Sequence, residues 1–270
     1  MEQIQLAPNL NRRITPHATP ARGDLQVRWA RHLDEVRQAQ RLRHEVFAQE
    51  LGADLSSRSP DGADLDIDDF DDYCEHLLVS TVTTDEAAER VVGTYRVMLP
   101  QAAVRAGRYY TESEFDLEAL LPLRPNMAEL GRSCIAPAWR TGGVIMMLWS
   151  HLAKFLFANQ VHHAIGCASI SMADGGHNAA RLWEELRHGH LTDLQRRVAP
   201  HVPLPVERLL QSTRRDQPAE WPALIKGYVK CGAKVMGPPA WDPDFGTADL
   251  PILLDMVGMS DSYRRRLLRN

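Results

Sequence analysis

The sequence predicts an α+β protein: a mixed central sheet flanked by helices, with an α/β extension at its C-terminal end. Three observations predict it. Two apolar runs, 76–83 and 91–99, are separated by a polar turn, as paired strands would be. A nearly unbroken Met/Leu/Trp/Phe stretch, 143–160, has helical length. It lies between two short strand-like runs, 127–135 and 164–171. The order helix, strand, strand, strand, helix, strand follows, and no internal repeat interrupts it.

In chain order, residues 1–24 are rich in Pro, Asn, Arg and Thr and read as an N-terminal arm. They contain no apolar core or cleavage pattern, so a secretory leader is not expected. Residues 31–51 have helical periodicity, with Leu33, Val36, Val46 and Phe47 on related faces. Residues 52–74 form an acidic loop with Ser-Pro and Asp-Gly turn signals. The strand pair comes next. Residues 100–126 are irregular except for a short helix within 109–121, capped near Thr111 or Ser113. The strand 127–135, the helix 143–160 and the strand 164–171 complete a core of residues 25–171. The extension, 172–270, is a mixed tail in which only a helix in 224–235, with a Gly stop, and a strand in 243–256 stand out.

Composition narrows the function. With 270 residues, 44% apolar and 24% charged, the chain can bury a sizeable core. A formal charge of −4 and a pI near 6.3 exclude the basic footprint of a nucleic-acid binder. Basic clusters at 214–217 and at the C-terminus read as solvated surface, with an acidic partner or anionic lipid as the sharper alternative. The longest apolar run, Val144 to Phe157, is broken by Ser150, His151 and Lys154, and reads as a core helix rather than a span. Cys74, Cys134, Cys167 and Cys231 show no CxxC spacing, so reduced thiols in a cytoplasmic protein are expected. Eight Asp residues between Asp54 and Asp72 lack the Gly and Glu spacing of a calcium loop, and His162-His163 has no ligand set. No metal is expected.

The chemistry concentrates in "MAELGRSCI" (127–135) and the following "WRTGG". Glu129 and Arg132 are three positions apart, so a regular strand points them to opposite faces. Gly131 between them predicts a bulge, which would bring both charges to one cleft. Either Glu129 is a working base there, or it is half of a salt bridge with Arg96 or Arg132. Arg140, Thr141, Gly142, Gly143 and Val144 open a helix whose first N–H groups lack partners, an arrangement suited to a phosphate.

These residues resemble the Gcn5-related acyltransferase fold, in which a bulged strand and a glycine loop hold a pantetheine pyrophosphate. "RTGGV" departs from that family's loop by placing its glycines together and one position early. "RLRHEVF", "DDFD", "GTYRVM" and "ELGR" also look like the signature of acyl-homoserine-lactone synthases, falling on Arg43, Phe47, Asp68, Asp71, Arg96, Glu129 and Arg132. The whole pattern from about Arg41 to Asp255 is most similar to the ornithine-lipid N-acyltransferase family, through "FDDYCEHLLV", "YTESEFDL", "ELGRSCI", "GGVIMMLW", "IGCASI" and "LIKGYVKCGAKVMGPPAWDPDFGTADL".

The resemblance implies transfer of a 3-hydroxyacyl chain from acyl carrier protein to the α-amine of ornithine. The donor is then the carrier's phosphopantetheine arm, held at Arg140–Val144, and no permanently bound cofactor is needed. Glu129 would take the amine's proton, with Arg132 and Arg96 beside it. Arg43, Arg96 or Arg132 would fork the acceptor carboxylate, and Asp68 and Asp71 would read its ammonium or order their loop. N–H groups around Ser133 and Cys134 would meet the oxyanion. Cys134 has no adjacent base, so direct transfer is expected over an acyl-enzyme. Phe47, Met146 and Trp149 could line an acyl tunnel. Carrier docking would fall to arginines such as Arg187, Arg196 and Arg197, and a lipid product implies peripheral contact with the inner membrane face. Three other readings share these residues: an N-acyl amino acid synthase with another amine, a lactone synthase, and a non-catalytic carrier-binding module.

Overall fold

The computed structural model describes residues 24–55, 64–82, 89–212 and 218–268. The N-terminal arm, the Ser-Pro and Asp-Gly signals at 59–62, most of the turn between the paired strands and the basic cluster at 214–217 lie outside the described residues.

The first half contains β1 (Leu25–Trp29), α1 (Leu33–His44), β2 (Glu75–Thr81), β3 (Val91–Met98), α2 (Pro100–Ala106), β4 (Phe115–Asp116) and β5 (Met127–Ile135). The second contains α3 (Gly143–Ala158), β6 (His163–Ser171), α4 (His177–Gly189), β7 (Ala199–Pro200), α5 (Val206–Gln211), α6 (Ala223–Lys230), β8 (Lys234–Val235), β9 (Ala240–Asp242), β10 (Thr247–Asp255) and α7 (Asp261–Leu268). The main sheet runs β1-β2-β3-β5-β6-β10-β8, with β9 also paired to β10, while β4 and β7 make a separate ribbon. The mixed sheet expected from the sequence is present. A strand from the 172–270 segment is integral to it: β10 pairs with β6 from Thr247↔Ser171 to Asp255↔His163.

Helices pack on both faces of this sheet because β3 alternates. Gly93 turns toward α3, where a Cβ would meet Val144 Cγ1 at 2.6 Å. Arg96 has the opposite parity and meets the ionic partners of Arg43 on α1. The helix expected over 31–51 is α1 followed by a π-helical turn, Glu45–Glu50, that carries Phe47. The short helix near Thr111 is a 3₁₀ turn, Tyr110–Ser113, entered through the Tyr109 N–H, which donates to Glu112. Sequence reading missed β1, α2 and α4. No helix among the described residues is long and apolar enough to cross a membrane.

β5 and β6 supply the one parallel strand pairing among the described residues, and it lasts only from Met127↔His163 to Glu129↔Ile165. Beyond it the strands part. Gly166 sits at the parting, where a Cβ would lie 2.3 Å from the Leu130 carbonyl oxygen. Gly166→Ala must therefore move backbone, and a loss of about 1–3 kcal/mol is expected by denaturant or thermal melting. Gly131→Ala meets nothing within 4 Å and should melt like the parent.

Candidate active site

Where β5 and β6 part, a cavity of about 320 Å³ opens. Its walls come from β3, β5, β6 and β10, from Phe47 in the π-helical turn, and from Leu224 and Tyr228 of α6. α6 comes this close because Gly227 faces Trp149, whose ring would lie 2.3 Å from any Cβ there. Tyr228 then stacks on Trp149 and shares a 2.5 Å hydroxyl contact with Tyr95.

The bulge is real and lies one residue beyond the predicted position. Arg96 pairs with Gly131 and Thr94 with Cys134, so two residues of β5, Arg132 and Ser133, oppose Tyr95 alone. Arg132, not Gly131, takes the left-handed conformation, at φ 49°. A non-glycine residue there costs about 1–3 kcal/mol, so its surroundings must hold it. They do so through Asp68 at 3.0 Å, Asp66 at 3.3 Å, and the rings of Tyr110 and Phe245 at 4.8 and 4.7 Å.

Glu129 borders the cavity with 6% of its surface exposed. Among the described residues it is not half of a salt bridge. Its carboxylate accepts from the Tyr110 N–H at 2.8 Å, the Thr111 N–H at 2.7 Å and the Thr111 hydroxyl at 2.5 Å. Burial raises its pKa against the lowering effect of those bonds. The result is a carboxylate fixed in direction, with its pKa above the ordinary value.

The remaining motif residues divide. Arg96, Arg132, Ser133 and Phe47 line the cavity with Glu129. Arg43 does not: it is 1% exposed and spends its guanidinium on Asp66 and Asp71 at 2.6–2.9 Å. Asp68 and Asp71 do not line it either. Asp71 accepts from Arg43, Arg96 and Gln40, and Asp68 from Arg96 and Arg132. Burial opposes both charges, but the arginines outweigh it and hold both carboxyls below their ordinary value. Three aspartates and three arginines thus close a network that ties the acidic loop to α1, β3 and β5. Arg43 and the two aspartates are members of that network, and none of the three lines the cavity. Cys134 also lies off the cavity; burial pushes its thiol up, as an inert strand residue.

The loop Arg140–Val144 is likewise outside the cavity lining. Gly142, at φ 91°, caps α3, and Thr141, Gly142 and Gly143 are exposed while Val144 is buried against β3. Arg140 is held by an acid rather than an incoming anion: it grips Glu50 with both terminal nitrogens, at 2.5 and 2.7 Å, in an exposed pair.

Sequence reading missed an acidic wall. Asp242 and Asp249 line the cavity, and with Glu114 their carboxylates lie within 4.8 Å of one another. The available signal was a lone Asp249 inside the apolar run of β10. Burial, then Asp249 and Asp242, push Glu114 up to about 9. A pKa raised above the ordinary 4.5 stabilises the fold below pH 4.5 and loses that contribution as pH climbs through 9. Glu114→Gln should therefore flatten the fall of Tm across that window, measured in a buffer series.

Comparison with known proteins gives the chain's relatives. Residues 42–150 match the family described as Acetyltransferase (GNAT) domain. An L-ornithine N(alpha)-acyltransferase of Rhodobacter capsulatus is 33% identical over 250 residues, covering 88% of this chain and 93% of its own. One of Brucella abortus is 32% identical over 248 residues, covering 89% and 88%. Among solved structures, that of the AHL synthase LasI aligns with a TM-score of 0.49 at 12% identity, covering 92% of this chain and 96% of that one. The protein is thus an acyltransferase built on a GNAT fold. Within that class, the chain belongs to the L-ornithine N(alpha)-acyltransferase family.

Proposed function

We propose that this protein moves a 3-hydroxyacyl chain from the phosphopantetheine arm of acyl carrier protein to the α-amine of ornithine, making lyso-ornithine lipid. The observation that carries the reading is Glu129, buried on the cavity wall beside the Arg132–Ser133 bulge where β5 and β6 part. The amine attacks the thioester carbonyl, the C–N bond forms, and the thiolate leaves with the carrier's arm. Glu129 takes the ammonium's proton, directly or through one water. Arg132, held between two rings at the cavity edge, is our choice for the acceptor carboxylate. N–H groups of the bulge are our choice for the oxyanion.

The donor's phosphate is assigned to the exposed start of α3, from Arg140 to Val144, with Arg140 exchanging Glu50 for phosphate. In this division of labour residues 25–171 carry the transfer, and 172–270 close the acceptor end. Peripheral contact with the inner membrane face belongs to the same reading, and co-sedimentation with anionic vesicles tests it.

The deciding experiment is mass spectrometry of products from purified protein, given 3-hydroxyacyl carrier protein or 3-hydroxyacyl-CoA and a mixed amine pool. Nα-acylornithine formed from the carrier substrate supports the whole reading. The same product from CoA alone replaces the donor, and a different acylated amine replaces the acceptor. Carrier binding without any product would make the protein a binding module.

A further inference from the structure

We propose that Glu114, Asp242 and Asp249 recognise the side-chain ammonium of the acceptor amino acid, and so select a short-chain diamino acid over its uncharged isosteres. The inference rests on the acyl-transfer reading above and adds to it the residues that choose the amine.

The first observation is an imbalance of charge. Asp66, Asp68 and Asp71 are matched by Arg43, Arg96 and Arg132. Glu114, Asp242 and Asp249 have no cation within ion-pairing distance among the described residues, although Asp249 is only 3% exposed. Buried carboxylates without a counter-charge are costly, and a cation that arrives with a ligand would remove that cost.

The second observation is unused hydrogen-bonding capacity. Both carboxylate oxygens of Glu114 are buried, and neither accepts a well-formed hydrogen bond among the described residues; Asp249 and the Cys167 thiol are its polar neighbours. Asp249 is in hydrogen-bond contact with Ser169, Glu114 and, at a long 3.3 Å, Thr247, all uncharged or acidic partners, while Asp242 uses one oxygen on the N–H groups of Asp244 and Phe245. A primary ammonium has three donors, and three carboxylates within 4.8 Å suit it.

The third observation is placement. Asp242 and Asp249 line the same cavity as Glu129. Thr111 and Cys167 connect the two groups: the Thr111 hydroxyl lies 2.5 Å from Glu129 and 3.7 Å from the Cys167 sulfur. The carboxyls of Glu114, Asp249 and Glu129 all lie close enough to that thiol to help burial raise its pKa. An amino acid with its α-amine at Glu129 can thus extend a short charged side chain past Cys167 to the cluster.

The test compares ornithine with norvaline, which has the same carbon chain without the terminal ammonium. A site that pairs a substrate N–H group rejects the analogue lacking it by about 10⁴-fold in kcat/KM, and that ratio is expected of the parent enzyme. Asp249→Asn and Glu114→Gln should raise KM for ornithine by about 10–100-fold, with kcat less affected, so that the ratio falls by the same factor. Glu114→Gln also relieves repulsion and should melt no lower than the parent, which separates lost recognition from lost folding. Calorimetric titration of the protein with ornithine should release protons near neutral pH, as the ammonium displaces those the cluster holds.

An unchanged ornithine-to-norvaline ratio in both variants, with ornithine still the product-forming amine, overturns the inference and leaves the acyl-transfer reading intact. Tight binding of Mg²⁺ or Mn²⁺ that is lost in Asp249→Asn would assign the cluster to a metal and overturn it as well. A parent protein that acylates neither amine overturns the functional reading itself, and the inference falls with it.

Discussion

Glu129→Gln is expected to lower kcat/KM for acyl transfer by about 10²–10⁴-fold, the range that general-base catalysis supplies. The carboxylate is the proton acceptor in the proposed reaction, and its direction is set by three hydrogen bonds from the Tyr110–Ser113 turn. A glutamine cannot take a proton, and its amide must also present a donor to groups that already donate. Rate alone would not separate these effects, so the pH profile decides. Burial raises the Glu129 pKa, which means the base is disabled as pH falls through a value above the ordinary 4.5. The parent should show an acid limb in kcat/KM at that raised value, and Glu129→Gln should lose the limb along with the rate. A variant that keeps the limb at reduced rate would move the proton-accepting role elsewhere.

Asp71→Asn is expected to be the most destabilising isosteric change in the chain, at about 3–5 kcal/mol. Asp71 accepts from Arg43 and Arg96, both almost wholly buried, and the loss of one anion leaves two guanidinium groups sharing what remains. Glu50→Gln is the control: it removes the partner of a half-exposed Arg140, an interaction worth at most about 1 kcal/mol. The pH dependence follows with its sign. The Asp71 pKa is depressed in the fold, so its contribution is present above the ordinary 3.8 and is lost as pH falls below it. Acid unfolding of the parent should therefore be steep below pH 3.8, and shallower in Asp71→Asn. Denaturant melts at a few pH values measure both.

The sheet was legible because its strands are apolar and bounded by turn residues: β5 was expected over 127–135 and is found there. β1 was missed because a five-residue edge strand, "LQVRW", offers too little alternation. α4 was missed because no capping residue announces it; it starts after two glycines, at 77° and 88° in φ. Within the site, Glu129 and Arg132 were readable as charges stranded in an apolar strand, and Arg96 through the resemblance carried by "GTYRVM". The role of Arg43 was not, because its partners lie 23 and 28 residues away across a loop. Gly131 misled by one position. Glycine tolerates the left-handed conformation most easily, but here ion pairs and two aromatic rings impose it on Arg132. Asp249 was hidden by its neighbours, since a single acid in "TADLPILLD" carries no spacing to interpret.

The position of β10 between β6 and β8 sets a timetable for biosynthesis. β6 is complete at Ser171, yet the strand that covers its free edge begins only at Thr247. While the intervening segment is being made, β6 presents unpaired backbone groups next to an unfinished core, a state prone to edge-to-edge association. Asp242 and Asp249 also emerge well after Glu129, so the nascent chain acquires its proposed base long before two of the three residues assigned to choose the amine. Chains shortened before β10 would consequently be lost to aggregation rather than survive as enzymes of relaxed selectivity.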